Sequence, residues 1–191
     1  MKTSKFILST ILCLSVLVSC SSDDDAPSQP NEEEVITDVT LSFTNDADAN
    51  DVVVLLSVDE DGEDGPLNPV QTITGHFTAG ATYTATISLF NSIENEDITI
   101  EVTDVEPDEH FFIYTVNGLD MNFTRSTNDV ERADGNKLGF ETSWVANTAS
   151  TGTIRVQLFH ESESVDDSNE FGTQSGGSSD VDVTFTGVSI Q

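Results

Sequence analysis

The sequence predicts an all-β protein: an antiparallel, immunoglobulin-like β-sandwich of eight or nine strands with one short helix. Three observations carry this reading. Apolar residues alternate with Thr, Ser and charged residues in many short runs. Clusters of Gly, Asp, Asn and Pro separate those runs, and no segment sustains a long helical period.

The first strand is expected at 39–43, where Val39, Leu41 and Phe43 alternate with Thr40 and Ser42. Residues 52–56, "VVVLL", are continuously apolar, as a strand inside a sheet would be. A shorter pattern follows at 71–77. Tyr83, Ala85, Ile87 and Leu89 then alternate with Thr84, Thr86 and Ser88. The segment 91–105, "NSIENEDITIEVTDV", fits a short strand through Ile98, Ile100 and Val102. It also fits a helical turn through Ile98, Val102 and Val105, and helix is the expectation. Further short strands are expected at 111–116 and 121–125. Leu138, Phe140 and Trp144 share one parity, as do Ile154, Val156 and Leu158, and again Val181, Val183 and Phe185. Gly187 breaks the last alternation, because Val188 and Ile190 fall on the other face, which predicts a bulge. Turns are expected at "NDADAND", "DEDGEDGPLNP" and "ADGN". Residues 161–179 read as a long polar loop.

The N-terminus reads differently. Lys2 and Lys5 precede a mostly apolar run at 6–18, too short to span a membrane comfortably, which is the form of an export signal. Leu17-Val18-Ser19-Cys20 resembles a bacterial lipobox, in which the cysteine is lipidated and becomes the first residue of the mature chain. The expected organisation is a signal at 1–19, lipidated Cys20 with an acidic tether at 20–33, and one domain at 34–191. The other cysteine, Cys13, leaves with the signal, so no disulfide can form within the mature chain. The acidic tract "SSDDD" after Cys20 resembles the surface-export signal of Bacteroidetes lipoproteins. The expected location is therefore the outer membrane, held by lipid and facing the cell exterior.

The chain carries 35 acidic and 6 basic residues, a formal net charge of −29. Once Lys2 and Lys5 are removed, the only basic residues left are Arg125, Arg132, Lys137 and Arg155. Such a field repels nucleic acid and anionic membrane surfaces. It is compatible with divalent cations, a basic partner or plain solubility in salty water.

Several pieces, in order, span nearly all of the mature chain: "CSSDDD", "EEEVITDVTLSF", "DEDGEDGP", "ENEDIT", "DEHFF", "STGTIRVQLFHE" and "DVDVTF". Together they resemble small flavobacterial lipoproteins that carry the label "type 1 periplasmic binding fold superfamily". The label implies a two-lobed α/β binding protein, whereas the length and strand patterns of this chain predict the sandwich. The resemblance also implies an association with TonB-dependent uptake receptors of the outer membrane.

Two constellations suggest ligands. In "DEDGEDGP", Asp59, Asp61 and Asp64 with nearby glycines offer the alternating carboxylates of a calcium loop, although the spacing departs from the EF-hand and an acidic hairpin turn is the plain alternative. "NDADAND" offers Asp46, Asp48 and Asn50 in the same manner. The second constellation is the histidines. His160 ends a strand with inward parity and His110 begins one, so a Zn²⁺ or Cu²⁺ site built from His110, His160, Glu109 and Glu161 is geometrically open. Strand-rim histidines without a metal are the plain alternative, and His76 is expected in solvent. There is no nucleophile elbow, no H-E-x-x-H and no phosphate loop. Phe112, Tyr114 and Phe159 would be core residues or a sugar-stacking face. The leading expectation is a non-enzymatic binding or receptor-accessory module with a divalent metal. A structural, adhesin-like module and a carbohydrate-active hydrolase are the alternatives.

Overall fold

The alternating runs close into two antiparallel sheets. The computed structural model describes residues 34–62, 67–169 and 171–191. These residues fall in one compact unit, Glu33–Gln191. Cys20, the tether and Asp64 lie outside the described residues.

The larger sheet holds β1 (Asp38–Asn45), β2 (Asp48–Val58), β3 (Val70–Thr74), β4 (Thr82–Asn91), β7 (Asp120–Arg125) and β8 (Glu141–Thr148). Their order is β3-β2-β1-β4-β8-β7, and the two-residue β5 (Glu96–Asp97) pairs with the end of β4. The smaller sheet places β9 (Ser150–His160) between β6 (His110–Asn117) and β12 (Ser178–Ile190). A separate hairpin joins β10 (Ser164–Asp166) to β11 (Thr173–Ser175). Among the described residues, nine strands have five residues or more and each overlaps a patterned run, although β8 begins only after Leu138 and Phe140 and β3 ends at Thr74.

Parity decides which side chains meet between the sheets. Leu41 lies opposite Leu55 on β2 and Ile87 on β4, and all three are buried. The "VVVLL" run splits by face: Val53 and Leu55 are fully buried, while Val54 and Leu56 are half-buried on the other face. Trp144 sits at the centre, edge-on to Phe43, Tyr114 and Phe123 at 5.6, 5.7 and 4.7 Å. This arrangement suits the ring quadrupoles, and the indole N–H is satisfied by Thr142 Oγ1 at 2.8 Å. Phe112 and Tyr114 are thus core residues and Phe159 is half-buried, so they form no sugar-stacking face.

The ambiguous segment 91–105 forms β5 and then a helical turn α1 (Ile98–Ile100), which continues as a π-helical turn over Glu101–Val105. Asp97 caps it by accepting from Thr99 N at 3.0 Å, and the Thr99 hydroxyl donates to the Leu89 carbonyl. The helical reading therefore holds. Residues 161–179 are not a bare loop: the β10–β11 hairpin occupies them, with Glu163 N donating to the Ser175 carbonyl. Short polar strands of this kind carry no apolar alternation to reveal them. Gly187 has φ 84° and the β9–β12 register shifts there, so the predicted bulge is present.

The β7–β8 connection and the loop between β10 and β11 cover the outer edge of β6. Phe112 N donates to the Leu138 carbonyl and Tyr114 N to that of Phe171. The Arg125 guanidinium donates to the carbonyls of Phe112 and Lys137 and stands 4.4 Å from the centre of the Phe111 ring. An open β6 edge would invite pairing with another chain.

Away from β6, one oxygen of Asp51 accepts from Asn45 Nδ2, Thr78 Oγ1 and Tyr83 Oη at 2.7–2.9 Å. The Asn45 donor above all, then Tyr83 and Thr78, holds its carboxyl below the usual range against the opposing effect of burial. A depressed folded value contributes stability above the unfolded value, and that contribution is lost as pH falls through the folded one. Asp51→Asn is expected to cost about 1 kcal/mol near neutrality. The difference from the parent should vanish at pH values below the folded value of Asp51. Urea unfolding at both conditions measures this.

Candidate metal centre

His110 is the first residue of β6 and His160 the last of β9. The antiparallel register sets them directly opposite each other. Both side chains point inward, and their rings stack with centroids 4.7 Å apart and planes 16° apart. Their exposures are 0% and 3%. Two imidazoles are therefore sealed into the end of the sandwich by strand parity.

Two carboxylates close on them. Glu34, four residues before β1, is 6% exposed, with Oε1 3.3 Å from His110 Nε2 and Oε2 3.6 Å from His160 Nδ1. The Asp180 side chain is fully buried, with its oxygens 3.8 Å from His110 Nε2 and 3.9 Å from His160 Nδ1. One donor atom from each of Glu34, His110, His160 and Asp180 can be chosen so that all lie within 4.8 Å of one another. A tetrahedral Zn²⁺ with bonds of about 2.0–2.1 Å has ligand–ligand edges of about 3.3–3.4 Å. The four imidazole–carboxylate distances, which use both oxygens of each carboxylate, run from that edge to about half an ångström beyond it.

The far nitrogens are held from outside. His110 Nδ1 lies 3.0 Å from the Glu106 carbonyl, which can only accept, so Nδ1 carries hydrogen. In the neutral ring Nε2 is then a lone pair facing Glu34 and Asp180. His110 Nε2 makes no well-directed hydrogen bond, although Glu34 stands 3.3 Å away. His160 Nε2 faces Glu109 at 3.5 Å, leaving Nδ1 toward Glu34 and Asp180. An imidazole whose second nitrogen is held by a carbonyl or carboxylate is the arrangement that orients metal-ligating histidines. Arg132 fixes the backbone here by donating to the carbonyls of His110 and Pro107.

Charge follows the same geometry. Burial works against charged His110, but pairing with Glu34 and the Glu106 carbonyl outweighs it, and the imidazole is held above its usual range. Burial likewise opposes ionised Glu34, and His110 outweighs that, so this carboxyl is held low. Glu101, on the π-helical turn, is pushed up by burial and then by the charges of Glu34, Glu106 and Glu96. A proton on His110 pairs it with Glu34, and a divalent cation would compete with that proton.

His110, His160 and Glu109 are thus brought together as the sequence suggested. Glu161 is not. Its φ of 50° turns the chain out of the strand, the side chain is exposed, and only its N–H joins in, donating to the Glu109 carbonyl. In its place stand Glu34 and Asp180. Strand parity sends Asp180 outward, opposite to Val181 and Val183. A register shift between Ser179 and Val181 leaves Asp180 as the extra residue of a bulge, which re-aims it inward. Gly177, with φ 73°, lets β12 begin against the His160 backbone, since a Cβ there would lie 2.2 Å from the His160 carbonyl oxygen. Nothing in "NEEEV" distinguishes Glu34 from its neighbours. His76 is exposed, as expected.

The acidic loop behaves differently. Asp61 Oδ2 accepts from Leu67 N at 3.2 Å. Among the described residues the loop presents no group of three converging carboxylates. In "NDADAND", Asp46 and Asp48 serve as hydrogen-bond acceptors for Thr84 Oγ1 and for Asn50.

Comparison with family models, curated proteins and solved structures finds no match for this chain.

Burial first, then contact with the Asp61 carboxyl, pushes the Asp59 carboxyl above its usual range. A raised folded value means that ionisation costs the folded state, so stability is regained as pH falls from neutrality through that value. Asp61→Asn should bring Asp59 back toward ordinary carboxylate titration and shrink the gain. Carboxyl-resolved NMR titration reads this directly, and an unchanged Asp59 would exclude the pairing.

Proposed function

We propose that this chain is a lipid-anchored, non-enzymatic binding module of the outer membrane. Its domain holds one divalent transition metal, zinc above all, between His110, His160, Glu34 and Asp180. The observation that carries the metal is the stacked, buried histidine pair whose inner nitrogens face two buried carboxylates at 3.3–3.9 Å. Two nitrogens and two oxygens near tetrahedral edges suit Zn²⁺ better than Cu²⁺, which favours square-planar N,O sets. All four donors come from the protein and are at most 6% exposed. A closed set of this kind leaves no open position for substrate, which favours a bound, structural metal over a catalytic one.

The anchor and its outward face rest on the N-terminal sequence: the apolar run, the lipobox-like "LVSC" and the acidic tract after Cys20. The resemblance to flavobacterial lipoproteins supports a role beside a TonB-dependent receptor. The charge of −29 supports a partner that is cationic or a ligand carried with cations.

Thermal melts of the mature chain, stripped with chelator and titrated with Zn²⁺, Cu²⁺ or Ca²⁺, test the metal. Zinc at one hundred times its Kd should add about 2.7 kcal/mol of stability. The shift should be lost in His110→Ala and His160→Ala, and in the gentler His110→Gln and His160→Asn. A calcium-only shift, lost in Asp61→Ala, would move the site to the 59–66 loop. No shift with any ion would refute metal binding.

A further inference from the structure

The four donors do not come from one place in the fold. His110, His160 and Asp180 sit on β6, β9 and β12, the three strands of the smaller sheet. Glu34 sits on the segment that leads into β1, a strand inside the larger sheet. The first backbone ties of that segment to the larger sheet come at Thr37, whose N–H donates to the Phe90 carbonyl and whose carbonyl accepts from Asp59 N. Its hydroxyl also meets Ser92 Oγ at 2.8 Å. Glu34 therefore reaches, through its carboxylate, from the lead-in of one sheet to the inner face of the other.

We propose that metal binding at this centre is a clasp: it cross-links the two sheets through Glu34 and fixes the point at which the N-terminal chain leaves the domain. This inference rests on the metal-binding reading of the centre. It gives that metal a task. With Cys13 in the expected signal and Cys20 in the expected anchor, the domain has no disulfide to join its sheets. A bond from position 34 to positions 110, 160 and 180 closes long loops, where restraint of the unfolded chain is greatest. The clasp also sets whether the membrane tether begins before Glu34 or only at Thr37.

The experiment uses the mature lipidated chain in detergent, with zinc content measured by elemental analysis and amide hydrogen exchange followed over residues 34–37. Zinc at ten times its Kd should slow exchange there by about tenfold, as mass action on the closed state requires. Glu34→Gln should still bind zinc through His110, His160 and Asp180, but exchange over residues 34–37 should no longer respond. Glu161→Gln, outside the centre, should behave as the parent. If the parent binds zinc stoichiometrically while exchange over 34–37 stays unchanged, the clasp is wrong and the metal site stands. If no zinc binds, both fall.

Discussion

The register of β9 between its two neighbours is the constraint on which the centre depends. On one side it sets His160 opposite His110. On the other it sets His160 opposite Ser178 and Leu158 opposite Val181, which leaves Asp180 as the unmatched bulge residue between them. A slip of one residue would turn Ile154, Val156 and Leu158 out of the core together with His160. The apolar positions of β9 therefore hold the polar one in place. Their burial far outweighs any preference of a histidine for water.

Putting histidines and carboxylates in a sealed pocket is costly unless their charges are matched. Each arginine is already engaged by other partners, Arg132 by the backbone of the centre itself. Arg125 donates to the Phe112 and Lys137 carbonyls, Arg132 to the Pro107 and His110 carbonyls, and Arg155 pairs with Asp182 on the surface. Beyond Arg132, neutralisation is left to the proton that pairs His110 with Glu34 or to a bound cation. The positions of Glu106 and Glu109 behind the rings distinguish the two inner nitrogens from the outer ones. That division is the one that orients a metal-ligating histidine.

The same centre explains how a chain so acidic can order its N-terminal edge. Glu34, Glu101 and Glu106 offer oxygens within 4.8 Å of one another, which is repulsive unless a positive charge lies between or beside them. His110 and His160 supply that charge when protonated, and a divalent ion would supply more. Burial, parity and charge thus converge on one end of the sandwich, while another polar network stabilises the Asp51 carboxylate through hydrogen bonds from Asn45, Thr78 and Tyr83.

The sequence by itself determined the sandwich of eight or nine strands, the bulge at Gly187 and the inward aim of His160, because a period of two translates directly into faces. It also placed His110 and Glu109 at the start of a strand that could meet His160. Only the tertiary structure decided that those strands are neighbours, since pairing is set by how whole sheets close. Asp180 was hidden because a bulge reverses parity without a glycine at the site to mark it. Glu34 was hidden because its role comes from a segment crossing between sheets, and no local spacing records that. Glu161 was drawn in by adjacency to His160, but a left-handed backbone turns it to solvent. Local periodicity is written in neighbouring residues, whereas a site made from four separate segments exists only once the sheets have packed.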